Sequence, residues 1–155
     1  MKAKLLSLIL FFAALPQAQA VEVYWRGNAH IWTSSGSCAR QYDAGQTYEV
    51  RFQPAGIGTN GRLTRMAWFF GNQAAHAFVA PIMDATWRQM EYNVIFSGTY
   101  PAITAPALLR FYTQSPAVIN ERTQFIEING QIQHFNLTPN CLVTFRMGLT
   151  LSSRL

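Results

Sequence analysis

Three histidines, seven acids, two cysteines and a set of four Trp and six Tyr are the groups in this chain that could do chemistry. Spacing removes most of the options. His30, His76 and His134 never stand at i, i+2 or i, i+4 to one another, so no local segment presents two imidazoles to one metal. Glu49, Glu91 and Glu127 fall on predicted solvent faces, where a carboxylate lacks the burial that tunes an acid–base pair. Gly56, Gly58 and Gly61 spell G-x-G-x-x-G, but the string follows Pro54 and precedes a strand-like segment. A pyrophosphate needs a helix N-terminus at that point. A flexible strand connector is the expectation. There is no G-x-S-x-G, H-E-x-x-H or Walker-type loop. No catalysis, metal or cofactor is expected; an enzyme would need the fold to bring a His against Asp43 or Asp84.

The aromatics are the more informative chemistry. A Trp or Tyr ring beside Arg, Asn or Gln packs an apolar ligand face while the polar neighbours bond hydroxyls or amides. Trp25 beside Arg26 and Asn28, and Trp87 beside Arg88 and Gln89, are the expected ligand-binding positions. The remaining aromatics read mainly as core. Met66, Trp68 and Phe70 share one face of their segment and Ala67 and Phe69 the other, so that strand is apolar on both sides. Such a strand is buried twice or covered by a partner.

Cys38 and Cys141 are the only cysteines, an even pair in a small domain, and are expected to form one disulfide. Thiolate zinc sites and C-x-x-C redox pairs are thereby excluded.

Residues 1–20 read as a bacterial-type secretory signal peptide: Lys2 and Lys4, an apolar run from Leu5 to Leu15, then Ala18-Gln19-Ala20 before the cut. The run is too short to span a bilayer as a helix, so no transmembrane helix is expected. Cleavage would leave residues 21–155 as a single domain, starting at Val21, in the periplasm or outside the cell. Lys2 and Lys4 are the only lysines, so the formal net charge falls from +5 to +3 with them. The arginines are scattered, which gives no footprint for nucleic acid.

Positioning these groups falls to strands. Thr47–Gln53 alternates, with Tyr48, Val50 and Phe52 on one face. Cys141, Val143, Phe145, Met147, Leu149 and Leu151 line one face of the final segment, opposite Thr144, Arg146, Thr150 and Ser152. Strands are expected at about 21–26, 29–33, 47–53, 62–70, 75–80, 87–96, 107–113, 123–128, 131–137 and 141–151. A hairpin is expected at Phe69-Phe70-Gly71-Asn72. A second is expected at Asn129-Gly130, with a bulged three-residue loop that places Ile126, Ile132 and His134 on one face. Pro101–Pro106 reads as a connection.

The fold class that follows is all-β, an antiparallel β-sandwich or alternatively a closed β-barrel, with one disulfide. The function that follows is an exported, non-catalytic binding module for a protein, glycan or envelope component. The alternatives are a small secreted enzyme with a site assembled from distant residues, or an outer-membrane β-barrel.

Overall fold

The computed structural model describes residues 22–38, 45–71, 73–90, 92–97, 100–104, 107–135 and 138–154. The expected signal peptide and Asp43 lie outside them. The strands are β1 (Glu22–Ser34), β2 (Thr47–Gln53), β3 (Thr64–Phe70), β4 (Gln73–Ala80) and β5 (Arg88–Gln89), followed by β6 (Tyr92–Ser97), β7 (Tyr100–Thr104), β8 (Leu108–Ser115), β9 (Phe125–Gln133) and β10 (Leu142–Arg154). All pair antiparallel in one sheet of order β5-β8-β9-β10-β1-β2-β3-β4-β6-β7. No α-helix occurs among the described residues.

The sheet is nearly closed on itself. β5 and β6 sit near opposite ends of the strand order, yet two residues separate them in sequence. The expected strand 87–96 is therefore one stave that changes partner halfway. Arg88 and Gln89 pair with Leu109 and Leu108, and Tyr92–Ile95 pair with β4. The result is an eight-strand, nearly closed, barrel-like sheet with β7 paired to the other edge of β6. The all-β antiparallel class and the disulfide are as expected, and the single continuous ladder lies nearer the barrel alternative than two stacked sheets. β7 covers residues read as a connection; its Pro101 is tolerated because the strand is at the sheet's edge.

Alternation sorts the side chains. Tyr48, Val50 and Phe52 point inward from β2, and Val143, Phe145, Met147 and Leu149 from β10, all buried. Eight strands enclose a bore that side chains can fill, and here large rings fill it. Trp68 of β3 meets Phe145 of β10 at 5.1 Å between ring centroids, and Phe52 of β2 meets Phe111 of β8 at 5.9 Å, so opposite walls touch through the middle. The disulfide joins Cys38, in the loop after β1, to Cys141, just before β10, with their Cα atoms 4.5 Å apart.

Two expected breaks are absent, and glycine is the reason in both. β9 runs straight through Asn129-Gly130, with Ile126, Ile128 and Ile132 inward. A Cβ on Gly130 would stand 2.3 Å from the Phe145 ring and 2.8 Å from the Arg110 carbonyl oxygen, so the glycine admits the ring rather than turning the chain. His134 accordingly lies beyond the strand, in a turn at φ 60°, where its Nδ1 accepts the Asn140 backbone N–H at 3.2 Å. β1 likewise continues through Gly27, whose added Cβ would meet the Gly148 carbonyl oxygen at 1.9 Å. The β3–β4 hairpin forms as expected, closed by the pair Phe70 and Gln73 around Gly71 at φ 60°.

Candidate functional site

The continuity of β1 decides the fate of Trp25. Val23, Trp25, Ala29 and Ile31 alternate inward, and Trp25 is 0 % exposed, with its indole N–H donating to the Thr123 carbonyl at 2.8 Å. Trp25 is a core residue, which corrects its reading as a binding position: its same-face neighbours are apolar once the strand is unbroken. Arg26 does lie on the outer wall, paired with the Glu49 carboxylate, which raises its pKa.

Trp87 is half-buried, and the Arg110 guanidinium lies 4.5 Å over its ring. Arg88 is held to Asp84 by two hydrogen bonds, at 3.1 and 2.7 Å, and this contact keeps the Asp84 carboxyl below its ordinary range. Trp87 thus stands at one end of a polar chain on the outer wall. Arg110 donates to Gln131 Oε1 at 3.0 and 2.6 Å, and Gln131 Nε2 donates to Thr144 Oγ1 at 3.3 Å.

Following that chain across β8, β9, β10 and β1 leads to the most distinctive feature of the wall. Across these four strands the ladder slips by one residue at two places. On β1, Ile31 pairs with Phe145 and Thr33 with Thr144, leaving Trp32 as the extra residue. On β8, Phe111 pairs with Gly130 and Thr113 with Asn129, leaving Tyr112 as the extra residue. Phe111, Gly130, Phe145 and Ile31 form one row across the four strands, so both bulges adjoin the same row. Bulges re-aim side chains. Trp32 (65 % exposed) and Tyr112 (43 % exposed) face outward, as alternation from the inward Ile31 and Phe111 requires, and each bulge keeps the following threonine on the same outer side.

Between the two aromatics lies a depression of about 150 Å³ lined by Asn129, Thr144, Phe145 and Arg146 together with both rings. Their strands are three ladder spacings apart, about 14 Å. Asn129 Nδ2 donates to Thr113 Oγ1 at 2.7 Å, Arg146 pairs with Glu127 at 2.7 Å, and His30 meets Thr47 Oγ1 at 3.1 Å and the Trp32 ring edge-on. The polar groups are thereby fixed in direction. Trp32 and Tyr112 were not singled out from the sequence. Their signal is a phase slip: Ile31-Trp32-Thr33-Ser34 and Phe111-Tyr112-Thr113-Gln114 each place two apolar residues side by side, then two polar ones.

The remaining histidine, His76, is buried against Tyr48, Phe78 and Phe135, and burial lowers its pKa to about 4. Beside it, Trp68 Nε1 is the one buried side-chain polar atom without a hydrogen-bond partner among the described residues. The three histidines thus lie on the outer wall, in the core and in a turn. Among the described residues there is no group of three metal-ligating side chains. A wider cup of about 730 Å³ opens at one end of the barrel, floored by Phe52 and Phe111 and rimmed by Ile82 and Val118.

No protein-family model, curated protein or solved structure matches the chain. The reading of the site therefore rests on its geometry.

Proposed function

We propose that this chain is an exported, non-catalytic binding domain that holds an envelope glycan, or a partner displaying one, on the wall between Trp32 and Tyr112. The carrying observation is the pair of exposed aromatics, each at a bulge, on either side of a polar strip. A sugar ring offers an apolar face to stack on an aromatic and a rim of hydroxyls for amide, hydroxyl and guanidinium partners. Trp87 and Arg110 extend the same surface through Gln131, which gives a chain of sugars room beyond the first ring.

Export is supported by the leader-like sequence, and a disulfide fits an oxidising compartment. A lipid-spanning barrel carries an apolar outer band. Here the bore is packed with apolar side chains, and the pairs Arg26–Glu49 and Arg146–Glu127 stand on the outer wall. That distribution favours a wall bathed in water.

The test is a titration with soluble envelope oligosaccharides, followed by tryptophan emission, on the wild type and on Trp32→Ala, Tyr112→Ala and Trp87→Ala. Trp32→Ala and Tyr112→Ala should each weaken binding at least tenfold without moving the thermal midpoint, and Trp87→Ala should weaken it less. Undiminished binding by a folded Trp32→Ala protein, or no glycan binding by the wild type, would overturn the proposal.

A further inference from the structure

The strand that is apolar on both faces has a second side that the proposed glycan wall does not use. Met66 and Trp68 of β3 are buried inside the barrel, while Ala67 and Phe69 lie on the outer wall with Ala77 and Val79 of β4. Ala67 is directly opposite Ala77 across the ladder, and Arg51 of β2 faces Ala67 from the other side. Two methyl side chains between larger neighbours leave a trough of about 290 Å³, walled by Tyr24, Phe69 and Val79. It is separate from the Trp32 site: it reaches β1 at Glu22 and Tyr24, near the start of the strand, whereas Trp32 stands near its end.

The rim of this apolar trough is cationic. Arg51 and Arg65 both line it, and neither makes an ion pair among the described residues. They are diagonal neighbours on adjacent strands, because Arg51 pairs with Ala67 and Gln53 with Arg65. Such positions stand about 7–8 Å apart, close enough for one carboxylate to meet both. The Arg51 guanidinium already lies 5.3 Å over the Phe69 ring, at the junction of charge and apolar floor. Its neighbour across β1 is Arg26, whose charge is taken by Glu49. Glu22, the single acid among the lining residues, accepts a hydrogen bond from Gln53.

We propose that this trough binds a fatty acid, with the alkyl chain laid over Ala67, Ala77, Phe69 and Val79 and the carboxylate held by Arg51 and Arg65. Charge complementarity selects the occupant. A second copy of the chain docked face to face would bring the two arginines of one trough against those of the other, which is repulsive in a symmetric interface. An anionic head with a single apolar tail satisfies both halves of the site.

The experiment is calorimetric titration of the mature protein with sodium octanoate, sodium decanoate and 1-octanol, each below its aggregation limit. Decanoate should bind about tenfold more tightly than octanoate, since each buried methylene is worth roughly a factor of four at full burial. Octanoate should bind at least tenfold more tightly than 1-octanol. Arg51→Gln with Arg65→Gln, both exposed positions that leave the core intact, should abolish that preference while retaining weak binding of both. Ala67→Leu, which fills the trough, should abolish binding of all three with the thermal midpoint retained. Equal binding of octanoate and 1-octanol, unchanged affinity in the double arginine variant, or no binding of decanoate at millimolar concentration would each overturn the proposal. So would a dimer that buries the trough and persists in decanoate.

Discussion

Lowering the pH from 7 to 4 charges a histidine in an unfolded chain at its ordinary pKa of 6.5, but His76 in the folded barrel stays neutral until about pH 4. Burial among Tyr48, Phe78 and Phe135 is the cause, because a charged imidazole has no water there. The unfolded state therefore binds one more proton than the native state between those two values, and stability falls as the pH falls. The His76 contribution is fully present above pH 6.5, declines through the window and is exhausted near pH 4. A depression from 6.5 to about 4 corresponds to about 3 kcal/mol in all, with a slope approaching 1.4 kcal/mol per pH unit. That is a large part of the 5–15 kcal/mol typical of a domain. Urea denaturation at pH 7, 6, 5 and 4 measures it, and His76→Phe isolates it from the carboxylates that titrate in the same range. The variant keeps an aromatic in an aromatic cage and removes the titration, so the difference in unfolding free energy between wild type and variant should change by about 3 kcal/mol across the window. A difference that stays constant with pH would refute the argument, whatever the absolute stability of the variant.

Replacing Cys38 and Cys141 by Ser releases a loop spanning 103 residues and should lower stability by up to about 4.7 kcal/mol, read as a drop in the thermal midpoint. Gly130→Ala should cost about 2 kcal/mol or more in chemical denaturation, because the new methyl meets the Phe145 ring and the Arg110 backbone, whereas Gly61→Ala, with open space around it, should be close to neutral. Trp25→Ala should lose about 3–5 kcal/mol of stability, and Trp32→Ala less than about 0.5 kcal/mol; equal losses would contradict their placement in core and wall.

Much of the fold could be read from period-two patterns because a strand with one dry face must alternate. β2 spans the expected residues and β10 runs three residues past its expected end, both with the expected faces inward. The errors fall where one residue type has two physical uses. Asn129-Gly130 has the composition of a turn, but Gly130 is there to make room for a ring that arrives from β10, a contact no local window contains. Gly27 is the same case against Gly148: the expected strands 21–26 and 29–33 are one continuous β1, and Trp25 lies on its inward face despite its polar neighbours Arg26 and Asn28. The stave from Arg88 to Ser97 was legible as extended chain, while its change of partner from β8 to β4 depends on how the sheet closes.

The proposed glycan site was less legible because a bulge is defined by a partner strand. The phase slips at Trp32 and Tyr112 are visible singly, yet only the register across β8, β9, β10 and β1 brings them to one row. Closure then sharpens the argument about where a ligand can go. Trp25, Phe52, Trp68, Phe78 and Phe145 occupy the bore, so recognition is left to the outer walls and the end cup. The two walls have opposite chemistry for local reasons. On one, outward aromatics flank a hydrogen-bonded polar strip; on the other, the Ala67–Ala77 pair sinks an apolar trough beside two arginines. If both proposals hold, a single domain can grip a sugar at one site and an acyl chain at another, and Trp32→Ala and Arg51→Gln should each remove one activity while leaving the other intact.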